Sequence, residues 1–219
     1  MKKTVVIAAA GRGNRLGAGL PKCLIEVNGH AVFEYQMKAL RWADEIRMVV
    51  GYRAEEVIRR VSAVNDKVVF VWNRDYAKTT TLQSNFLGAE GIGEKALFID
   101  GDMLLCRGTG EELCRRYEEN ECFIGVSREL SQEPVYAGVE GGYVRWFSYE
   151  KPSSYEWANV ALIDTKMLEY AHTHFYVQLE KYLPLLSLEV ERLEIDTRED
   201  FLYAEQTVRK CPEKYDFWR

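Results

Sequence analysis

The sequence predicts an α/β protein with a Rossmann-like three-layer αβα fold, whose central sheet is mostly parallel with a smaller antiparallel portion in the second half. In the first half of the chain, short apolar runs alternate with segments of helical periodicity. Such alternation, with short connecting loops, is typical of a parallel sheet covered by helices on both faces. After about residue 120, strand-like segments follow one another directly, which indicates antiparallel pairing.

The first half supplies the elements of the parallel portion. Its first segment, residues 4–9, is a continuous apolar run rich in β-branched residues, as expected of a strand buried on both faces. The same criteria predict three further strands and three helices. The strands cover residues 46–50, 67–72 and 96–99, and the helices cover 31–43, 55–64 and 80–90.

The second half reads as strands with helices near the end. Gly141-Gly142 is a hairpin turn between two strand-like segments. Strands are predicted over 121–127, 135–140, 143–148, 160–163 and 187–195, and helices over 166–172 and 199–209. The chain has no repeat, low-complexity tract or Pro/Ser linker, so residues 1–219 are predicted to form a single domain with two halves, about 1–120 and about 121–219.

Composition excludes several classes of protein. A net charge of -5, from 34 acidic and 29 basic residues, argues against nucleic-acid binding, which usually needs a basic face. Five cysteines without a Cys-x-x-Cys pair fit a reducing cytoplasm better than a disulfide scaffold. The apolar start resembles a signal peptide but runs into Gly-Arg-Gly, so a buried strand is the better interpretation. No segment approaches the ~18 apolar residues that a membrane span needs.

A glycine-rich loop follows the first strand. Gly11-Arg12-Gly13-Asn14-Arg15-Leu16-Gly17 matches neither the G-x-G-x-x-G dinucleotide pattern nor the P-loop pattern. Glycines let backbone N–H groups approach phosphate oxygens, and arginines are forked donors for a triphosphate. Pro21-Lys22 adds an ammonium group shortly afterwards. The loop therefore predicts a triphosphate site, with a purely structural glycine-rich turn as the alternative.

Acidic residues end two of the predicted strands. Asp100 and Asp102 follow the strand at 96–99, and Asp196 follows the strand at 187–195. Ligands of open α/β sheets bind outside the carboxyl ends of the strands, so Asp100-Gly-Asp102 and the glycine-rich loop are predicted to share one cleft. Spacing alone does not choose between Asp100 and Asp102, and Asp196 has an alternative role as a helix N-cap.

These motifs resemble those of the nucleotidyltransferase superfamily, within its sugar-phosphate nucleotidyltransferase-like branch. Ala8-Ala-Ala-Gly11-Arg12-Gly13-x-Arg15-Leu16 with Pro21-Lys22 is similar to the family signature. The segments at 21–29, 33–36, 50–52 and 73–77, with Glu194-Ile-Asp-Thr197, most resemble bacterial choline-phosphate cytidylyltransferases. The likeness spans most of the chain and is loose between residues 103 and 145.

The resemblance implies a set of site residues. Asp102 and Asp196 would be the Mg²⁺ ligands, and Lys151 of Glu150-Lys-Pro would contact the phosphate of the second substrate. Arg15 and Lys22 would act on the triphosphate, and Thr80, Thr81 and Ser84 would lie near the nucleobase. The choline-phosphate enzymes tend to have asparagines where this chain has Thr80 and Thr81. The nucleotide would also be bound by Ala9, Ala10, Gly11, Arg12, Gly13 and Asn14.

The predicted activity is a magnesium-dependent nucleotidyl transfer that releases pyrophosphate. Together with the family likeness between Asn73 and Leu87, the short chain without a C-terminal hexapeptide-repeat extension favours CTP as donor and phosphocholine or a related phospho- or phosphono-amine as acceptor. The first half would bind the nucleotide and the second half the acceptor. Three alternatives stay open: a sugar-1-phosphate nucleotidyltransferase, a glycosyltransferase with Asp100-Gly-Asp102 as its metal motif, and a non-catalytic nucleotide-binding module. We expect the aromatic residues Phe217 and Trp218 to be exposed in the tail, where they would favour a homodimer interface.

Overall fold

A computed structural model describes residues 2–13, 16–17 and 19–218 of the chain. It confirms the predicted αβα fold with a central sheet that mixes parallel and antiparallel strands. The strands are β1 Thr4–Ala9, β2 Glu26–Val27, β3 His30–Ala31, β4 Glu45–Val50, β5 Val69–Trp72, β6 Lys95–Asp100, β7 Met103–Leu105, β8 Phe123–Ser127, β9 Tyr136–Glu140, β10 Tyr143–Ser148, β11 Glu156–Asp164, β12 Leu185–Glu189 and β13 Arg192–Glu194. The helices are α1 Val32–Ala39, α2 Ala54–Val64, α3 Thr81–Ala89, α4 Arg107–Glu119, α5 Phe175–Glu180, α6 Arg198–Lys210 and α7 Pro212–Tyr215.

The main sheet joins the two halves of the chain. Within the described residues it has nine strands in the order β5-β4-β1-β6-β11-β8-β12-β10-β9. The first four strands are mutually parallel, and β11 then runs antiparallel to both β6 and β8. Strand β6 is therefore the last strand of the first half in this sheet, and it pairs with β11 of the second half.

Helices cover both faces of this sheet because β1 is apolar on both sides. Val5 and Ile7 belong to one buried cluster, which includes residues of α1, α2 and α4. Val6 belongs to a second cluster on the opposite face, which includes residues of α3 and α5. A continuous run of β-branched residues is the pattern expected of a strand buried in this way.

A two-stranded ribbon outside the main sheet brings distant parts of the chain together. In it, β7 pairs antiparallel with β13, so that Met103 lies opposite Glu194. A third buried cluster packs the ribbon against α1 and α6, through Leu104, Leu193 and Ala204 among others. The sequence did not predict this ribbon, which positions the end of β13 beside the residue that precedes β7.

Two predicted elements of the second half are wrong. The predicted strand at 187–195 is two strands, β12 and β13, because the chain leaves the main sheet after Val190 and pairs with β7 instead. The predicted helix at 166–172 is reduced to one 3-10 turn, Thr165–Met167, and α5 begins only at Phe175. There, the side chain of Gln178 donates a hydrogen bond to the backbone of Met167, so tertiary contacts decide the local structure.

The C-terminal aromatic residues are not the exposed patch that the sequence suggested. Trp218 is half-buried and its ring stacks on His30, with centroids 3.5 Å apart. Phe217 is also half-buried and lies edge-on to Tyr35, with centroids 6.5 Å apart. These rings therefore have partners within their own chain, and a homodimer stays a prediction. In the described part of the chain, no helix is long and apolar enough to cross a membrane.

Candidate active site

A cavity of about 410 Å³ opens at the carboxyl ends of β1 and β6. Parallel strands of an open α/β sheet present their ligand site at this edge, as the sequence predicted. The cavity combines backbone of the glycine-rich loop with four carboxylates, one lysine and one asparagine. Its lining residues are Ala8, Ala9, Gly11, Gly13, Lys22, Cys23, Thr81, Asp100, Gly101, Asp102, Asn159, Glu194 and Asp196.

A glycine lets the strand ends approach closely at the floor of the cavity. The N–H group of Gly101 donates a 2.8 Å hydrogen bond to the carbonyl of Ala8. A Cβ atom at position 101 would lie 2.7 Å from the Cβ of Ala9, closer than real Cβ atoms approach. Any side chain at position 101 would therefore push the end of β6 away from β1.

One cation bridges two carboxylates at the centre of the cavity. The ammonium of Lys22 lies 2.6 Å from Oδ2 of Asp102 and 2.5 Å from Oδ1 of Asp196. All three side chains are largely buried, with 16%, 18% and 18% of their surface exposed. Two acidic residues and one basic residue from three distant parts of the sequence thus form one ionic cluster, which we call the cavity cluster (Lys22, Asp102 and Asp196).

The ribbon and the following helix position Asp196. The N–H group of Ile195 donates a 2.8 Å hydrogen bond to the carbonyl of Asp102, which ties the two metal-ligand candidates together through the backbone. Helix α6 is capped by Thr197, whose hydroxyl accepts from the N–H of Asp200 while the Asp200 carboxylate accepts from the N–H of Thr197. Because Thr197 supplies the cap, the helix-capping alternative for Asp196 is not needed.

Among the described residues that line the cavity, four carboxylates accompany one lysine. Burial, followed by the charge of Asp102, raises the pKa of Asp100 well above its ordinary range. Burial is also the largest cause that raises the pKa of Glu194 to about 7, and Asp102 adds to that effect. The carboxylates raise the pKa of Lys22, although its burial acts in the opposite direction, so this lysine stays charged. Such crowding of carboxylates favours the entry of further positive charge.

A second ionic cluster lies behind the cavity wall. Arg192 and Glu156 are 5% and 2% exposed and pair at 2.9 Å. The other oxygen of Glu156 accepts hydrogen bonds from the N–H and the hydroxyl of Ser131, at 2.9 and 2.8 Å. Arg192 also donates from Nε to the carbonyl of Ala158 and lies 3.2 Å from Glu194. We call Arg192 and Glu156, together with Ser131 at their exposed outer end, the buried cluster.

Asn159 is a cavity residue that the sequence did not reveal. It lies within β11 with a φ of 55°, a conformation rare for residues other than glycine, and asparagine tolerates it better than most. The register between β11 and β8 shifts at this point, between Trp157 and Ala161. A polar residue inside an otherwise apolar strand was the available sign of such a bulge, and bulges often lie beside active sites.

The structure brings together seven of the fourteen residues predicted for the site. Those that line the cavity are Ala9, Gly11, Gly13, Lys22, Thr81, Asp102 and Asp196. Two others, Asn14 and Arg15, lie outside the described residues. Five described ones are not among its lining residues: Ala10, Arg12, Thr80, Ser84 and Lys151.

Local contacts explain where three of those five lie. Arg12 lies over the ring of Tyr76, 5.6 Å from its centroid, and Lys151 lies over the ring of Trp146 at 4.1 Å. Thr80 caps α3. The roles given to these side chains stay predictions.

The two remaining residues are held by structural hydrogen bonds. The carbonyl of Ala10 accepts from the N–H of Tyr52 at 3.0 Å. Ser84 is buried and accepts a hydrogen bond from the amide of Asn73 at 3.0 Å. Both are close in sequence to cavity residues, so their assigned contacts with the nucleotide also stay predictions.

Comparison with known proteins assigns the family. A model of the MobA-like NTP transferase domain matches residues 5–164, which include the glycine-rich loop, Lys22, Asp102 and Asn159. The chain belongs to this family. Because Asp196 lies beyond the matched range, its pairing with Asp102 rests on the ribbon geometry and on the sequence resemblance.

Similar proteins include a curated relative and solved structures of the same fold. Bifunctional protein GlmU of Aliarcobacter butzleri is 28% identical over 156 residues, which cover 70% of this chain and 35% of that protein. The chain therefore spans about a third of the length of this relative. CTP:phosphocholine cytidylyltransferase from Streptococcus pneumoniae has the same fold, with a TM-score of 0.77, 21% identity and coverage of 95% and 100%. A putative glucose-1-phosphate thymidylyltransferase from Bacillus anthracis also has this fold, with a TM-score of 0.79 and 17% identity. The match covers 95% of this chain and 96% of that protein.

Proposed function

We propose that the chain transfers a nucleotidyl group from a nucleoside triphosphate to a small phosphorylated acceptor and releases pyrophosphate. The observation that carries this proposal is the cavity cluster beside the glycine-rich loop. Backbone N–H groups near Gly11 and Gly13 and the ammonium of Lys22 suit a triphosphate. Two carboxylates at the same point suit the cation that accompanies it. Membership in the NTP transferase family supports the same assignment.

The residues present fit a magnesium ion at Asp102 and Asp196. Oxygen Oδ1 of Asp102 is buried and has no hydrogen-bond partner in the described structure, which is costly unless a ligand binds it. In the described part of the chain, no three acidic, histidine or cysteine side chains form a closed metal site. A pair of carboxylates suits Mg²⁺, which is held by one or two carboxylates together with substrate phosphates and water. When bound, the ion would offset the negative charge that develops on the α-phosphate.

The reaction needs no protein nucleophile. An oxygen of the acceptor phosphate forms a bond to the α-phosphorus, and the bond to the bridging oxygen of the leaving pyrophosphate breaks in line with it. The electron pair of that bond leaves with pyrophosphate, and no proton has to be removed from a phosphate dianion. Lys22 would neutralise the triphosphate, and Arg15 stays a predicted second cation. The protein thus contributes by positioning and by charge stabilisation.

Two acceptor classes have separate support. A phosphocholine-like acceptor and CTP are supported by the whole-chain likeness to the pneumococcal enzyme. A sugar 1-phosphate is supported by the cavity itself, because Asn159 offers an amide for hydroxyl groups and none of the described lining residues is aromatic. Quaternary ammonium groups are usually recognised by aromatic faces. The likeness in fold to the putative glucose-1-phosphate thymidylyltransferase also favours the sugar class. Lys151 is the predicted contact for the acceptor phosphate in either case.

The test is pyrophosphate release with each of the four common ribonucleoside triphosphates and dTTP. The acceptors are phosphocholine, phosphoethanolamine, 2-aminoethylphosphonate and a set of hexose 1-phosphates, with Mg²⁺ and with EDTA. We expect Mg²⁺-dependent release with one acceptor class. Nucleotide binding without release from any pair would instead support the non-catalytic module, and cleavage of a nucleotide-sugar would support a glycosyltransferase.

A further inference from the structure

Lys22 occupies the place between the two carboxylates that the proposed function gives to a divalent cation. Its ammonium contacts one oxygen of Asp102 and one of Asp196, at 2.6 and 2.5 Å. A divalent cation that used both carboxylates would meet this charge at the same position. Oδ1 of Asp102 is buried without a hydrogen-bond partner, and one carboxylate oxygen by itself is too few for a tight site.

The chain holds the lysine in this position by packing as well as by charge. A Cβ atom at Gly13 would lie 2.7 Å from Cγ of Lys22, so the glycine-rich loop lies directly against the lysine stem. Lys22 begins a 3-10 turn whose backbone is fixed by the bonds from Leu24 to Pro21 and from Ile25 to Lys22. The backbone is therefore fixed, whereas the four-carbon side chain can change its rotamer without moving it.

We infer that Lys22 is the resident cation of the carboxylate pair, so that free Mg²⁺ binds weakly and enters together with the triphosphate. The inference rests on the proposed function. Phosphate oxygens of the triphosphate give the Lys22 ammonium a new anionic partner. When the ammonium moves to the phosphates, Asp102 and Asp196 become available to the metal. Each ligand then favours the binding of the other, because a coupling between two sites is reciprocal. The same lysine thus neutralises the carboxylates in the free protein and the phosphates in the complex.

The test measures metal binding without nucleotide. Mn²⁺, a paramagnetic substitute for Mg²⁺, is titrated into the parent and into Lys22→Met, and free Mn²⁺ is followed by electron paramagnetic resonance. We expect the variant to bind Mn²⁺ at least ~10-fold more tightly, because removing one partner leaves buried carboxylates uncompensated. The melting temperature of the variant should also rise on addition of Mg²⁺ more than that of the parent, because a ligand stabilises the state it binds.

Two controls separate displacement from a general change of charge. Arg12→Met also removes one positive charge, from the neighbouring glycine-rich loop, but Arg12 lies over Tyr76 rather than at the carboxylates, so Mn²⁺ affinity should change by less than ~3-fold. In Lys22→Met/Asp102→Asn, the gain in affinity should disappear. An affinity of folded Lys22→Met that matches the parent, or a gain equal to that of Arg12→Met, would overturn the inference.

A measurement on the parent protein covers the case in which Lys22→Met does not fold. Lysine ammonium groups are observed by nitrogen-15 NMR, with Lys22→Arg used to assign the signal. We expect the Lys22 signal to keep its position with Mg²⁺ alone and to move with Mg²⁺ and CTP, or with the triphosphate that the activity screen selects. A full shift with Mg²⁺ alone would contradict the inference. Neither readout depends on turnover, so the two proposals can fail separately. If the parent released no pyrophosphate but Lys22→Met bound Mn²⁺ more tightly, the proposed function would be wrong and the role of Lys22 as resident cation would stand.

Discussion

The cavity cluster and the buried cluster use the same chemistry in opposite ways. Each places one cation against carboxylates that are distant in the sequence, and both involve residues at or next to β13. In the buried cluster, both oxygens of Glu156 have donors, and Arg192 and Glu156 are at most 5% exposed. In the cavity cluster, the side chains are 16–18% exposed and one oxygen of Asp102 has no partner.

The difference separates a structural ion pair from one that can exchange its partner. A fully satisfied buried pair gains little from a new ligand and loses much if one partner is removed. A partly exposed cluster with an unpartnered oxygen can accept another cation with little rearrangement of the backbone. Glu194 lies between the two, since it lines the cavity and lies 3.2 Å from Arg192. The buried cluster therefore supports the wall against which the cavity cluster exchanges its ligands.

Removal of Arg192 should give the largest effect. Arg192→Met leaves the carboxylate of Glu156 buried without its cation, and we expect the free energy of unfolding to fall by about 3–5 kcal/mol. Urea denaturation followed by circular dichroism measures this loss. The double variant Arg192→Met/Glu156→Gln removes the uncompensated charge and should recover much of the stability. If the single and double variants were equally unstable, the pair would not be the structural element described above.

Removal of one carboxylate from the cavity should give the opposite pattern. Asp102→Asn should lower the rate of pyrophosphate release about 100-fold or more, the usual scale for electrostatic groups at a reacting phosphate or carbonyl. Its free energy of unfolding should change by less than ~1 kcal/mol, because Lys22 keeps Asp196 and one of several crowded negative charges is lost. Asp66→Asn, at an exposed position, is the control for both measurements. A loss of stability without a loss of rate would reverse the roles of the two clusters.

The two clusters also show what the sequence could predict. Periodicity and turn residues gave most helices and strands of the first half, and the carboxyl-edge rule placed the loop and Asp102 in one cavity. The pairing of Asp102 with Asp196 came from family resemblance, since the ribbon that joins them depends on contacts across about ninety residues. The buried pair of Arg192 and Glu156 had no local sign, because Arg192 lies within the predicted strand at 187–195 and Glu156 lies outside every predicted element. Tertiary contacts of this kind override local pattern.

The approach of the loop to Lys22 gives a prediction of intermediate size. Gly13→Ala adds a Cβ 2.7 Å from the lysine stem at a φ of +61°, so it combines backbone strain with displacement of Lys22. Gly91→Ala is a matched control, because its φ is +74° and nothing lies within 4 Å of the new Cβ. Each should lose about 1–2 kcal/mol of stability from the left-handed backbone alone. Only Gly13→Ala should also lower nucleotide affinity, by about 10-fold, a shift of 1.4 kcal/mol. Equal nucleotide affinities in isothermal titration would contradict the contact between loop and lysine.

The smallest effect is expected at the outer end of the buried cluster. Ser131→Ala removes one of the two hydrogen bonds to Oε2 of Glu156, and the N–H of residue 131 still donates the other. We therefore expect a loss of about 1 kcal/mol in the free energy of unfolding, the typical value of one hydrogen bond. Ser62→Ala, on the exposed side of α2, controls for the substitution itself. The rate of pyrophosphate release by the folded variant should stay within about 2-fold of the parent, because Glu156 keeps Arg192 and the wall beside Glu194 keeps its support. A large loss of rate at unchanged stability would mean that Ser131 acts on the substrate, and the buried cluster would then belong to the site rather than to its support.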